Sequence, residues 1–98
     1  MSERARYLVS YDVCDDRRLR RVYKALRGFG DHAQYSVFFC DLSPRERAEM
    51  VATLDPLIDH VVDQVLIVDL GPPEGRAGGC VASLGRTYTY PERHAVIV

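Results

Sequence analysis

Asp12 is the residue in this chain best suited to hold a hard cation. It closes the run Tyr7-Leu-Val-Ser-Tyr11, whose β-branched and aromatic residues suit a strand. Along such a strand Tyr7, Val9, Tyr11 and Val13 share one face, while Leu8, Ser10 and Asp12 share the other. A carboxylate held rigidly at a strand end suits Mg²⁺, which takes oxygen ligands and few protein carboxylates. The plainer reading of Asp12 is a turn or capping carboxylate, and one Asp alone does not decide between the two.

The second chemical signal is charge. Arg17, Arg18, Arg20, Arg21, Lys24 and Arg27 place six positive charges on about three turns of a predicted helix, with no acidic residue among them. Surface helices usually mix Glu with Lys and Arg, so this purity of sign points to phosphate binding. Such binding neutralises a backbone without reading bases and weakens with salt. A solvated surface is the competing reading. Other candidates are weaker. His32, His60 and His94 share no metal-binding spacing, and Ser10 and Ser36 have no basic partner nearby in sequence. Tyr11 reads as a core or interface aromatic with a bonded hydroxyl, and Phe38 beside Phe39 as sheet packing rather than a platform for bases.

These side chains need elements to position them. Asp15 or Asp16 caps a helix in which Leu19, Val22, Tyr23, Leu26 and Phe29 form one apolar face, with Gly28 and Gly30 as its stop. Gln34–Leu42 is a second β run, either one bent strand or a hairpin starting near His32. In it Tyr35, Val37 and Phe39 share one face, and Gln34, Ser36, Phe38 and Cys40 the other. Ser43-Pro-Arg-Glu46 is a capping box with Pro at the first helical position. Behind it Met50, Val51, Leu54, Leu57, Ile58 and Val61 form an apolar stripe, interrupted at Pro56 by a kink or a second short turn capped by Asp55. Gln64–Leu70 is an apolar central strand. Two prolines and four glycines make 71–79 a loop. Cys80–Leu84 is a short strand candidate, and His94–Val98 a terminal strand that needs an edge to pair with.

Composition bounds the rest. A chain of 98 residues with net charge -1 is one domain with a modest core. No apolar run reaches the roughly 20 residues of a membrane span, and the opening residues lack the apolar core of a signal peptide. Cys14, Cys40 and Cys80 are odd in number and widely spaced, which favours reduced thiols in a cytoplasmic location over a zinc site or disulfides. The order of elements fits an α/β (α+β) class, specifically a ferredoxin-like βαββαβ sandwich with an antiparallel sheet. Were its uncovered face to meet a twofold mate, two copies of Asp12 would approach each other. A divalent cation shared between them would relieve their repulsion and activate water for attack on a phosphodiester.

Tyr7-Leu-Val-Ser-Tyr-Asp12, with Asp15-Asp16 and Arg21-Val22 downstream, and Gln34-Tyr-Ser-Val-Phe38 together resemble the CRISPR-associated protein 2 family, the small dimeric partner of the CRISPR spacer integrase. The likeness extends over Val65-Leu-Ile-Val68, Ser83-Leu-Gly85 and the final Ala-Val-Ile-Val98. It implies a single domain over 1–98, with 79–98 a C-terminal extension whose strand pairs at a homodimer interface or docks the integrase subunit. It also implies a divalent metal, Mg²⁺, at Asp12 across the dimer axis, with Tyr11 and Phe38 in supporting roles. Arg21 matches a basic position of the family, and Arg17, Arg18 and Arg21 are the favoured phosphate contacts. At a position where the family can carry Arg, this chain has His32.

Two functions follow from the resemblance. The first is a DNA-binding scaffold for CRISPR adaptation, which holds the integrase and the spacer DNA. The alternative is a Mg²⁺-dependent endonuclease on RNA or double-stranded DNA, with Asp12 of both subunits as its catalytic carboxylates.

Overall fold

The structure, a computed structural model, describes residues 3–88. Its elements run β1 (Ala5–Asp12), α1 (Asp16–Arg27), β2 (Asp31–Gln34), β3 (Val37–Leu42), α2 (Pro44–Leu54) and β4 (Gln64–Gly71). The four strands form one sheet in the order β2-β3-β1-β4, every neighbouring pair antiparallel. This is the expected ferredoxin-like βαββαβ arrangement, with β1 and β3 inside and both helices packed on one face, but β4, expected as a central strand, stands at an edge among the described residues. The terminal strand expected at 94–98 lies outside the described residues.

Alternation along β1 sets the two faces. Tyr7, Val9 and Tyr11 are buried beneath the helices with Phe38, Cys40 and Leu42 of β3. Val22 and Leu26 of α1 and Met50 and Leu54 of α2 close this core from above. Val9, Val22, Leu26, Phe38 and Met50 have no measurable exposure. Truncating any of the larger ones to Ala removes about 2–5 kcal/mol. The opposite face carries Leu8 and Ser10 beside Val37, Phe39, Leu66 and Val68. Leu66 and Val68 stay about half exposed there, while Tyr88 packs on Phe39 with ring centroids 5.8 Å apart.

Local chemistry explains the boundaries. Asp15 is the N-cap of α1, accepting from the amides of Arg17 and Arg18 at 3.1 and 3.0 Å. Ser43 and Glu46 form the reciprocal capping box at the start of α2, at 2.8 and 3.1 Å. After α1 the chain passes so close to β3 that a Cβ on Gly30 would collide with the Phe39 carbonyl oxygen and the Cys40 Sγ. Only glycine fits this crossing. Gly28 instead ends the helix in an ordinary right-handed conformation.

Of the two forms open to the second β run, the hairpin starting near His32 is the one observed, β2 and β3, reversing at Tyr35 and Ser36, and several other expectations are corrected. Gln34 therefore pairs with Val37 and shares its face, where an unbroken strand would have opposed them. Residues 80–84 form no strand; a short 3-10 turn over Arg76–Gly79 leads into them. Asp55 belongs to a 3-10 turn over Asp55–Leu57 and caps nothing with its side chain. Val61 has left the apolar stripe and is 90% exposed.

Candidate functional site

The residues that chemistry singled out stand in three places: Asp12 at the carboxyl end of β1, Tyr11 and Phe38 in the core beneath the helices, and the cations along α1. Asp12 is the last residue of the strand, pairs with Gln64 at the start of β4, and is exposed on the uncovered face of the sheet. Among the described residues its carboxylate has no hydrogen bond or ion pair, unlike that of the capping Asp15 three residues on. An oxygen donor left free and held by a strand fits a hard cation that keeps most of its water shell. No group of three His, Cys, Asp or Glu side chains that could hold a metal ion gathers among the described residues, at Asp12 or elsewhere.

Tyr11 and Phe38 lie on the other face. Tyr11 is 3% exposed, and its hydroxyl donates to the Tyr35 carbonyl at 3.4 Å. Burial first, then the neighbouring Tyr23 and Tyr35 hydroxyls, push its ionisation above the ordinary tyrosine value. Phe38 is fully buried against Tyr11, Tyr23 and His32, with centroids 5.0–6.2 Å apart. Both belong to the core beneath the helices, Tyr11 on β1 and Phe38 on β3, and neither lies on the exposed face that carries Asp12.

The cationic helix divides into two parts. Arg17, Arg20, Arg21 and Lys24 line a shallow concavity on its outer side, and among the described residues their side chains form no ion pair. Arg27 stands over the Tyr23 ring, 5.9 Å from its centroid. Arg18 turns the other way, onto Asp63. Its Nε donates to Asp63 Oδ2 at 2.7 Å and a terminal nitrogen donates to Oδ1 at 3.2 Å. This fork removes Arg18 from the outward-facing set, so Arg17 and Arg21 are the favoured arginines whose charge stays available.

Asp63 is the residue that sequence reasoning missed. Its side chain is wholly shielded from solvent. The Arg18 fork, assisted by the amides of Asp59 and Cys14 and opposed by burial, holds its carboxyl well below the usual carboxylate range. A single charged residue within Val61-Val-Asp-Gln-Val65 was the available signal, since a charge among apolar neighbours needs a partner when buried.

A model of the CRISPR associated protein Cas2 family matches residues 5–74. A Rhodospirillum rubrum protein named CRISPR-associated endoribonuclease Cas2 1 is 42% identical over 92 residues, covering 94% of this chain and 89% of the relative. A Geobacter sulfurreducens protein named CRISPR-associated endoribonuclease Cas2 is 44% identical over 92 residues, covering 94% and 96%. Among solved structures, Streptococcus pyogenes Cas2 superposes with a TM-score of 0.71 at 32% identity, over 82% of this chain and 99% of that one. A hypothetical Thermus thermophilus protein gives 0.76 at 29% identity, over 91% and 99%. Sequence and fold agree across most of the chain: it belongs to the CRISPR associated protein Cas2 family.

Proposed function

We propose that this protein is a metal-dependent endoribonuclease of the CRISPR system that grips its substrate by the phosphate backbone. The observation that carries this reading is the Asp12 carboxylate at a strand end, unbonded among the described residues and close in sequence to a helix whose outward arginines form no ion pair there either. The names of the Rhodospirillum and Geobacter relatives support the same activity.

In this reading Asp12 is the metal ligand and, with its mate, the catalytic carboxylate. A bound Mg²⁺ supplies Lewis acidity and a water of lowered pKa. Arg17 and Arg21 hold phosphates and offset the charge that develops during displacement, contributing orientation but no base specificity. Tyr11 and Phe38 keep the strand straight beneath the site. The uncovered face, with Leu66 and Val68 half exposed, supports a homodimer in which a second copy covers that face and brings a second Asp12 close.

The basic face of α1 also favours a second reading. The protein would serve CRISPR adaptation as a scaffold that binds DNA and docks the integrase subunit, a role for which Arg17 and Arg21 matter and Asp12 does not. Cleavage of labelled RNA and double-stranded DNA with Mg²⁺ or Mn²⁺ separates the two, with wild type and Asp12→Ala prepared side by side. The nuclease reading expects RNA cleavage by wild type, loss of at least 100-fold in the variant, and unchanged nucleic-acid binding. Equal activity in both proteins, or none in either, overturns it in favour of the scaffold.

A further inference from the structure

The Asp63 carboxylate takes no part in the proposed chemistry, yet it joins three segments around Asp12. Oδ1 accepts from the Cys14 amide at 2.9 Å and from Arg18 at 3.2 Å. Oδ2 accepts from Arg18 Nε at 2.7 Å and from the Asp59 amide at 2.8 Å. Four donors engage both oxygens, which is what a carboxylate shielded from water requires. The donors come from the loop after β1, from the first turn of α1, and from the turn that precedes β4.

We propose that Asp63 is a positioning residue for Asp12, fixing the backbone just beyond the candidate metal ligand and so setting where its carboxylate stands. The inference rests on Asp12 being that ligand. Asp12 is restrained on one side by its pairing with Gln64. Two residues later the Cys14 amide is tied to Asp63, the immediate neighbour of Gln64. Residues 12–14 and 63–64 therefore close a small ring in which Asp12 has little freedom to shift. Among the described residues no bond falls on the oxygens of Asp12, so what restrains its position there is the backbone on either side. Groups that hydrogen-bond a metal ligand directly change metal affinity by about 10–100-fold when removed, and one acting through the adjoining backbone belongs at the lower end of that range.

A role confined to fold stability would leave metal affinity alone, and this separates the two. Mn²⁺ uptake by the full chain is read from the electron paramagnetic resonance of the free ion, and the Mn²⁺ dependence of RNA cleavage is measured in parallel. Asp63→Asn keeps the shape but loses the charge and one acceptor. The expected result is a half-saturating Mn²⁺ concentration raised about tenfold, with cleavage largely restored at saturating metal. Wild-type Mn²⁺ affinity in Asp63→Asn, even with a lowered Tm, overturns the inference and leaves Asp63 to the fold alone. If that variant does not fold, Arg18→Gln, which spares the carboxylate and its two amide donors, should shift Mn²⁺ affinity in the same direction by less; no shift overturns the inference equally. If wild type takes up no Mn²⁺, or Asp12→Ala takes it up as well as wild type, the reading of Asp12 falls first and this inference falls with it.

Discussion

The Tyr11 hydroxyl donates to the Tyr35 carbonyl at 3.4 Å, and the same carbonyl oxygen lies 3.4 Å from His32 Nε2. One acceptor thus ties the end of β1 to the tip of the β2–β3 hairpin. Tyr11 neighbours Asp12 in sequence yet faces the core, where burial holds its proton more firmly than usual. Tyr11→Phe should cost about 1 kcal/mol in a denaturant titration and leave RNA cleavage within a few fold of wild type. A hundredfold loss of cleavage with normal stability would give the phenol a part in the reaction.

The outward arginines and the inward one should behave differently toward nucleic acid. Reversing Arg17 and Arg21 to Glu should weaken binding across all sequences and flatten the logarithmic salt dependence by about one unit per lost phosphate contact. Arg18→Gln should scarcely alter that slope while lowering the Tm. Filter binding over a salt series checks both. Equal slopes for the two variants would return Arg18 to the phosphate-binding set.

Asp63 also makes an acid-stability prediction. Its carboxyl titrates lower in the folded chain than in the unfolded one, so its contribution is complete above the unfolded value of about 4 and is lost as pH falls below it. Asp15 and Glu46 are shifted the same way, chiefly by backbone hydrogen bonds, and share the acid limb. Urea titrations from about pH 2.5 to about pH 7 should therefore show wild type losing stability more steeply on acidification than Asp63→Asn. Parallel curves would contradict the assignment.

At the crossing of the α1–β2 connection over β3, Gly30→Ala should cost about 1–3 kcal/mol, because backbone and Cys40 must move aside. Gly79→Ala, where an added Cβ meets nothing within 4 Å, is the control and should be near neutral. Thermal unfolding of the pair measures the difference.

Much of this was legible before the structure. The apolar spacing of α1, the Asp15 cap and the Ser43–Glu46 capping box each follow from local rules, and local rules hold where partners are three or four residues apart. The choice between hairpin and bent strand stayed open because Tyr35 and Ser36 carry none of the Gly, Asn or Pro that usually marks a reversal. Arg18 was hidden more deeply. Its partner is 45 residues away, so only the packing of α1 against the turn before β4 shows that its charge is already engaged. Asp12 was legible as a candidate because strand alternation alone places it on the uncovered face.

The bonding around Asp63 has a dynamic consequence. The start of α1, the end of β1 and the turn before β4 share one acceptor group, so none can open without disturbing the others. Amide hydrogen exchange at Cys14 and Asp59 should then report a single opening free energy, although the two residues lie on different segments. These loop amides, which would ordinarily exchange by separate local fraying, become one cooperative unit.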